Sequence, residues 1–381
     1  MVFIQIELIQ LGGTIGVHTK QKNYIGFLVP TLKRAAILRK YANYQSHSPL
    51  FAFSSKSINW KSRRITGLEY VNGRWNRRSF PFPKVIYNCC YGDKRALLKR
   101  FEKTIGPQKC FNALSRFSKW AIYQILADSP LQSYLPKSHT YDSNQLITFL
   151  EEYRTAFLKP NYGSKGQGIL RVECSLTGTY TLAEQTWDPS FVTSDPSALI
   201  TLLENKMGTK KYLIQKEIRM KKINDRSVDF RVMVQKNGQG NWAITGELVR
   251  FANRQSYLSN LFTRSDSLQN VLAGLYQQWP QKAATLIHEI HKVCLGVAER
   301  LDQHYGHIAE LGIDITIDHS DQIWLIEVNS RPSKMIFKVL DHFAFSITRI
   351  NVCSISSAVS FSSELFRIPS KAVGLGKPMR T

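Results

Sequence analysis

The sequence has few cysteines, few acidic residues and no long apolar run. Its six cysteines are scattered and form no Cys-x-x-Cys pair, which argues against a disulfide scaffold or a thiolate metal site and favours reduced thiols in a cytosolic chain. No stretch approaches the roughly 18 uninterrupted apolar residues of a membrane-spanning helix. The first residues lack a basic region followed by an apolar segment and a small-residue cleavage site. We therefore expect a soluble, unsecreted protein that does not associate with a membrane.

The composition indicates a folded protein with an uneven charge distribution. Of 381 residues, 43% are hydrophobic and 21% are charged, which excludes wholesale disorder and predicts two or three domains. The net charge is +23, and residues 1–105 contain 19 Lys and Arg against 4 Asp and Glu. The basic character thus belongs mainly to the first third of the chain.

A basic stretch with interleaved aromatic residues lies in that first third. One interpretation is a docking face for a polyanion such as nucleic acid, an anionic wall polymer or an acidic protein. The other is the solvated face of a hairpin that turns at Asn72-Gly73, and the lack of a recognised nucleic-acid-binding motif favours it. The stretch comprises Lys56, Trp60, Lys61, Arg63, Arg64, Tyr70, Arg74, Trp75, Arg77 and Arg78.

Apolar patterning divides the chain into three regions. Short apolar strands at 24–30, 50–53 and 84–88, with a helix at 32–44, predict a small α/β domain with a mainly parallel sheet over 1–105. Residues 106–335 show alternating strands and helices of a second domain, with lobes at about 150–215 and 216–335. Residues 336–381 are rich in Ser, lack helical periodicity and are expected to form a divergent tail.

A glycine-rich loop occupies residues 159–168, Lys-Pro-Asn-Tyr-Gly-Ser-Lys-Gly-Gln-Gly. Glycines let backbone N–H groups approach an anion closely, as in phosphate-binding loops. The loop is neither a Walker A motif nor a dinucleotide fingerprint, because no Lys-Ser/Thr follows its last glycine and the chain leaves it as a strand. Taken alone, such a loop is a weak signal that more often indicates a flexible hairpin.

Hard-metal ligands are suggested by two apolar strands near the end of the second domain. Strand alternation places Glu327 and Asn329 on one face, where Asp314 of a neighbouring strand can join them. Two carboxylates and an amide oxygen suit Mg²⁺ that bridges phosphates. A purely solvent-exposed role fits poorly with the apolar flanks of these residues.

Two arginines are candidates for stabilising transferred charge. Arg231, in Asp229-Phe230-Arg231, and Arg250 lie on consecutive predicted strands. Guanidinium groups beside a metal–phosphate site can hold oxygens bidentately and neutralise developing charge. Alone, such a motif more commonly forms a surface ion pair.

The order of these motifs resembles the ATP-grasp superfamily. The spacing of 13 residues from Asp314 to Glu327, and 2 more to Asn329, is similar to that of the metal ligands in D-alanine–D-alanine ligases. The phrases KVIYN, FLKPNYGSKGQGI and IWLIEVNSRPSK further resemble the YheC/YheD endospore coat-associated family of spore-forming Firmicutes. The resemblance extends over the N-terminal domain and stops near Phe337.

This resemblance implies an α/β fold, in which an N-terminal pre-ATP-grasp domain precedes a two-lobed α+β ATP-grasp unit. It also implies a site for ATP and one or two Mg²⁺. The residues implied are Lys119 and Lys159 for phosphates, with Ser164, Gly166 and Gly168 in a covering loop; Gln215, Glu217 and Ile218 for adenine; Asp314, Glu327 and Asn329 for the metal; and Arg231 and Arg250, with Asn260 nearby, for the acceptor carboxylate and the transferred phosphoryl group.

The implied activity is a carboxylate–amine or carboxylate–thiol ligase that acts through an acylphosphate. The alternative is a non-catalytic spore-coat structural or assembly protein that keeps the fold. Residues 263–266, Thr-Arg-Ser-Asp, replace the Gly-Gly of relatives and could narrow the acceptor pocket. The family places the protein in the cytoplasm of a sporulating cell or in the spore coat, with coat proteins or an anionic polymer as partners of the basic domain.

Overall fold

The computed structural model describes residues 23–44, 49–164, 166–237, 239–257, 262–333 and 336–337. Asn260 and nearly all of the predicted tail 336–381 lie outside the described residues. The described chain forms three β-sheets with flanking helices, so the mixed α/β class predicted from the sequence is confirmed. No helix among these residues has the length and apolar character that crossing a membrane requires.

The first sheet is mixed rather than mainly parallel. Strand β1 pairs in parallel with β2 and β6, and β6 with β7, whereas β4 pairs antiparallel with β2, β3 and β5. The predicted hairpin explains the difference, because Asn72 and Gly73 both adopt the positive φ of a tight two-residue turn. The elements are β1 (Ile25–Leu28), β2 (Leu50–Phe53), β3 (Ile58–Asn59), β4 (Arg64–Val71), β5 (Arg74–Pro81), β6 (Val85–Asn88), β7 (Cys110–Phe111), α1 (Arg95–Ile105) and 3₁₀ helices Leu32–Tyr44 and Ser55–Ser57.

The second sheet is antiparallel, in the order β12-β11-β10-β9-β13-β8. Leucines and other apolar side chains of α3 and α4 form a buried cluster with its strands, so both helices cover the sheet. The elements are α2 (Lys119–Ala127), a 3₁₀ helix Pro130–Tyr134, β8 (Ser138–Thr140), α3 (Ser143–Tyr153), β9 (Thr155–Pro160), β10 (Leu170–Cys174), β11 (Tyr180–Glu184), β12 (Pro189–Thr193), α4 (Pro196–Met207) and β13 (Tyr212–Lys216).

The third sheet has the order β17-β16-β15-β18-β19, with β14 paired to β15. Its core includes apolar residues of α2 and an apolar stripe of α6. Helix α2 therefore packs on the third sheet, and its first residue, Lys119, lies near the strands that carry the acidic motif. The elements are β14 (Lys222–Ile223), β15 (Arg226–Lys236), β16 (Trp242–Ala252), β17 (Phe262–Asp266), α5 (Leu268–Leu275), α6 (Pro280–Tyr305), β18 (Glu310–Ile317) and β19 (Ile323–Asn329).

A buried polar contact joins the first and third sheets. The hydroxyl of Tyr87, on β6, donates to Glu310 Oε1 of β18 at 2.5 Å, and Gln235 Nε2 of β15 donates to Glu310 Oε2 at 2.9 Å. Buried carboxylates are tolerated when such hydrogen bonds satisfy them. The domain boundaries near 105 and 335 stay predictions.

Candidate functional site

A cavity of about 450 Å³ lies where α2, the glycine-rich loop and strands β15, β16, β18 and β19 meet. A smaller cavity of about 80 Å³ adjoins it, and its wall includes Phe157, Ile169 and Tyr257. The two cavities share a set of polar and charged residues, so they form one continuous cleft. The shared residues are Lys119, Lys159, Gly163, Ser164, Arg250, Asp314, Ile326 and Glu327.

The predicted metal ligands meet in this cleft. Asp314 and Glu327 are direct partners in the antiparallel pairing of β18 with β19, and Asn329 Nδ2 lies 3.4 Å from Asp314 Oδ2. Within the described residues, no group of three or more His, Cys, Asp or Glu side chains is arranged as a metal site. A cation here would depend on two carboxylates and an amide, a donor set that fits Mg²⁺ and not a soft metal.

Four charged side chains form a buried network beside these ligands. Asp229 accepts from Arg250 Nε and Nη2 at 2.6 and 2.5 Å, and Asp314 accepts from Arg231 Nη2 at 2.8 Å and lies 3.1 Å from Arg250 Nη2. Burial alone would raise the pKa of Asp314, but the two guanidinium groups outweigh it and lower that pKa. Burial would likewise lower the pKa of Arg250, and its two carboxylate partners raise it instead. Both arginines therefore already face carboxylates.

Lys119 is positioned by the start of α2. Ser118 caps the helix by accepting from the Ala121 amide, and its hydroxyl donates to Asn161 Oδ1 at 2.8 Å, which ties the helix to the glycine-rich loop. Lys119 Nζ donates to Glu327 Oε1 at 2.5 Å. This ion pair joins the helix terminus to the acidic strand across the cleft.

Lys159 lies near the end of β9 and lines both cavities together with Lys119. Its ammonium donates to Gln215 Oε1 at 2.5 Å, and Gln215 Nε2 donates to Ser138 Oγ at 3.0 Å. Burial lowers the pKa of Lys159 to about 8. The second predicted lysine therefore has an amide for a partner and is poised to bind an anion.

The glycine-rich loop has the backbone geometry that its glycines allow. Gly166 and Gly168 adopt φ of 70° and 73°. A Cβ at Gly168 would lie 3.0 Å from the Tyr212 hydroxyl and 3.2 Å from Pro160 Cγ, so a larger residue would be strained there. Ser164 lines both cavities and Gly166 the smaller one.

Most predicted site residues lie together, and three do not. Of the described residues, Gly168, Glu217 and Ile218 are outside the walls of both cavities. Glu217 instead accepts from Arg171 Nη2 at 2.8 Å. Residues 263–266 lie in β17, at the edge of the third sheet. The cleft brings together Lys119, Lys159, Ser164, Gly166, Gln215, Arg231, Arg250, Asp314, Glu327 and Asn329.

Several residues that line the cleft were not among the site residues predicted from the sequence. Arg116 and Tyr91, from the turns after β7 and β6, line the larger cavity together with Tyr162 and Arg331. Arg331 and Tyr162 carried a local signal, because Arg331 comes two residues after Asn329 and Tyr162 belongs to the glycine-rich loop. Tyr91 and Arg116 follow strands of the first sheet.

A short segment after β16 joins the second and third sheets at the smaller cavity. The Tyr257 hydroxyl accepts from the Gln185 amide at 2.7 Å and donates to the Ala183 carbonyl at 3.2 Å. Ser256 Oγ donates to the Gln185 carbonyl at 2.7 Å. These bonds attach the segment after β16 to the end of β11 beside the smaller cavity.

A family model described as YheC/D-like ATP-grasp matches residues 108–349. The chain is 27% identical over 353 residues to the endospore coat-associated protein YheD of Bacillus subtilis (strain 168), covering 88% of this chain and 76% of that protein. It is 24% identical over 275 residues to the endospore coat-associated protein YheC of the same strain, covering 69% and 74%.

Solved structures confirm the fold. D-alanyl-alanine synthetase A from Vibrio cholerae O1 biovar eltor gives a TM-score of 0.52 at 14% identity, covering 89% of this chain and 99% of that one. The D-alanine–D-alanine ligase from Coxiella burnetii gives 0.52 at 10% identity, covering 89% and 94%. VanG D-Ala:D-Ser ligase from Enterococcus faecalis gives 0.51 at 11% identity, covering 89% and 100%.

Proposed function

Because the chain belongs to the YheC/D-like ATP-grasp family, we propose that it binds Mg·ATP in this cleft and acts as a carboxylate–amine or carboxylate–thiol ligase. One observation carries the proposal. Two lysines, the glycine-rich loop and the three oxygen ligands come from separate elements and converge on one cavity. That combination of cations, loop and hard ligands is what binding a metal nucleotide needs.

The walls of the cleft suggest how the nucleotide lies. The phosphates occupy the region common to both cavities, where Lys119, Lys159 and Ser164 provide donors. The adenine extends into the apolar part of the larger cavity, which Ile122, Leu126 and Leu213 line, with Gln215 at its polar edge. The acceptor then occupies the rest of the larger cavity.

Asp314, Glu327 and Asn329 would hold one or two Mg²⁺. Bound there, the metal supplies neutralisation of charge on the transferred phosphoryl group. Each carboxylate is now paired with a side-chain cation, Lys119 or an arginine. A divalent cation would take over part of that pairing and free Lys119 for a phosphate.

The chemistry needs no protein nucleophile. An oxygen of the acceptor carboxylate attacks the γ-phosphorus, the bond to the bridging oxygen breaks, and ADP leaves. An amine or thiol then attacks the acyl carbon, inorganic phosphate leaves, and the attacking group loses its proton to solvent. The chain contributes positioning and charge neutralisation, with Arg231 and Arg250 beside the reacting groups.

Thermal unfolding with and without Mg·ATP tests the nucleotide site. At about 100-fold saturation, binding to the native state stabilises by roughly 2.7 kcal/mol. The upward shift should require Mg²⁺ and should be lost in Glu327→Gln. The matched control is Glu299→Gln, an exposed residue of α6, which should keep the full shift. ADP release then reports which acids and amines react.

A second candidate function is that of a non-catalytic assembly protein. One observation favours it: the acids of the cleft already form ion pairs within the chain. The three acids that line the cleft, buried Asp229 and Asp314 and half-buried Glu327, have side-chain cations as partners without any ligand. Strand β17 also replaces the flexible Gly-Gly of relatives with 263–266. The assembly-protein hypothesis predicts no shift of the thermal midpoint at millimolar Mg·ATP. The same unfolding experiment therefore distinguishes it from the ligase hypothesis.

The names of the two Bacillus relatives bear on location and partners. Both are described as endospore coat-associated, and we place this protein in the cytoplasm of sporulating cells or in the coat. Its partner would be a coat protein or an anionic polymer bound by the basic hairpin. Arg74 and Arg77 of the edge strand β5 are exposed and suit that role.

A further inference from the structure

Two cationic side chains of the larger cavity have no acidic partner. Six Lys and Arg residues line this cavity. Lys119, Arg231 and Arg250 are paired with carboxylates, and Lys159 bonds Gln215. Among the residues that the structure describes, no carboxylate pairs with the remaining two, Arg116 and Arg331.

Arg116 is held in a defined place. Its guanidinium carbon lies 4.7 Å from the ring centre of Tyr162 and 5.9 Å from that of Tyr91. Both tyrosines line the same cavity. Stacking on aromatic rings fixes the guanidinium plane while its N–H groups stay available for a bidentate partner.

Arg331 reaches the same cavity from another direction. It comes two residues after Asn329, at the end of β19, and is exposed. The backbone there is fixed, because Pro332 is buried and a Cβ at Gly312 would lie only 2.6 Å from Pro332 Cβ. Arg116 and Arg331 therefore line one cavity from separate elements of the chain.

The buried arginines cannot easily serve as the anchor for an acceptor. Arg250 would have to abandon Asp229, and Arg231 would have to abandon Asp314, and each move would take a cationic partner from a buried carboxylate. Arg116 and Arg331 bear no such cost. They are therefore available to bind an acidic group of the acceptor that takes no part in phosphoryl transfer.

We propose that Arg116 and Arg331 bind a second acidic group of the acceptor, so that the substrate is a small molecule with two acidic groups. One carboxylate lies near the lysines and metal ligands and is activated. The other group, a carboxylate or a phosphate, lies against the two arginines. This inference rests on the proposed ligase function and specifies its substrate class.

Calorimetric titration of the full chain with Mg·ADP present tests the proposal. The probes are matched pairs: succinate against butyrate, glutamate against glutamine, and O-phosphoserine against serine, which also separates carboxylate from phosphate. In at least one pair the doubly acidic member should bind about tenfold more tightly or better, as expected for a charge-assisted pair. Arg116→Gln and Arg331→Gln should each abolish that preference, and Arg116→Lys should restore only part of it.

The control is Arg34→Gln, an exposed arginine of the 3₁₀ helix Leu32–Tyr44 far from either cavity wall, which should keep the preference. Mg·ATP titration of the same proteins is a separate readout of the proposed function. If Mg·ATP binds but the paired acids bind equally, if none of the acids binds, or if the two variants bind like wild type, this inference is overturned. If the acid preference appears without Mg·ATP binding, the acceptor site stands and the ligase function fails.

Discussion

Arg231 and Asp314 face each other on neighbouring strands, β15 and β18, as a buried pair in which Arg231 Nη2 donates to Asp314 Oδ2 at 2.8 Å. The same arrangement recurs one strand over, where Asp229 faces Arg250 across β15 and β16. Strand register sets both pairs, so carboxylates and guanidinium groups alternate across β16, β15 and β18 in the wall of the cleft. The network therefore fixes the position of Asp314 before any ligand binds.

Asp229 is the member of this network whose loss should destabilise the protein most clearly. It is 1% exposed and holds Arg250 through two hydrogen bonds. Asp229→Ala leaves a buried guanidinium short of a partner, so we expect a loss of about 3–5 kcal/mol. Urea unfolding followed by circular dichroism measures it. Asp225→Asn, in an exposed turn, should change stability by less than about 0.5 kcal/mol.

The coupling between Asp229 and Arg250 can be measured separately. In the double variant Asp229→Asn/Arg250→Gln the two amides can bond each other. Its destabilisation should therefore fall short of the sum of the single variants by about 1–3 kcal/mol. Strict additivity would show that the two side chains do not stabilise each other.

The side chains around Asp321 should make the free energy of unfolding depend on pH in the acidic range. Burial opposes ionisation, but hydrogen bonds from Lys221, Lys282 and Tyr276 outweigh it and lower the pKa of Asp321 to about 2. The stabilisation, about 2 kcal/mol, is complete above the ordinary pKa of 3.8 and is lost as the pH falls toward 2. The thermal midpoints of wild type and Asp321→Asn should thus differ at pH 6 and converge as the pH approaches 2. If the difference between the two thermal midpoints stayed the same from pH 6 to pH 2, the ionised form of Asp321 would not be what stabilises the protein.

The metal ligands were predictable because their signal is local. Alternation along β19 assigns Glu327 and Asn329 to one face, and apolar flanks indicate that this face is partly buried. The turn at Asn72-Gly73 was predictable for the same reason. In each case a few consecutive residues determine the geometry.

Other features depend on contacts that no short segment encodes. Which carboxylate pairs with Arg250 is decided by the register of β15 with β16, and Arg116 reaches the cleft through packing of the first sheet. Helix α4 is an exception, because Asp195 caps it and Pro196 begins it, which is a start signal that the sequence alone carries. Strand β12 carries little local signal, because Pro189, Ser190 and Val192 are exposed and none of its side chains is buried.

Polyanion binding by the basic hairpin should depend steeply on salt. Arg74 and Arg77 project from the exposed edge strand β5, whereas Arg78 is already paired with Glu69 at 2.5 Å. Binding of poly-glutamate should weaken linearly on a log–log plot against salt concentration, and Arg74→Gln/Arg77→Gln should reduce the slope by about two. The charge-matched control Lys210→Gln/Lys211→Gln should leave the slope unchanged. A salt-insensitive interaction would exclude this face as a polyanion site.

The depressed pKa of Lys159 gives nucleotide binding a pH dependence of definite sign. Burial lowers this pKa from 10.5 to about 8, and an ammonium bound to phosphate must stay protonated. The dissociation constant for Mg·ATP should therefore increase as the pH rises above 8, by up to about tenfold per pH unit. Calorimetric titration at pH 7, 8 and 9 measures this change.

The stability of the ligand-free protein should increase with pH over the range in which the affinity for Mg·ATP decreases. Between pH 8 and 10.5 the folded chain has released the Lys159 proton and the unfolded chain has not, so this group's contribution to stability rises with pH. Lys159→Arg keeps its charge throughout and should flatten both trends, whereas Lys210→Arg, an exposed control, should flatten neither. If affinity for Mg·ATP stays constant from pH 7 to 9 in the wild type, Lys159 does not bind the phosphates as an ammonium.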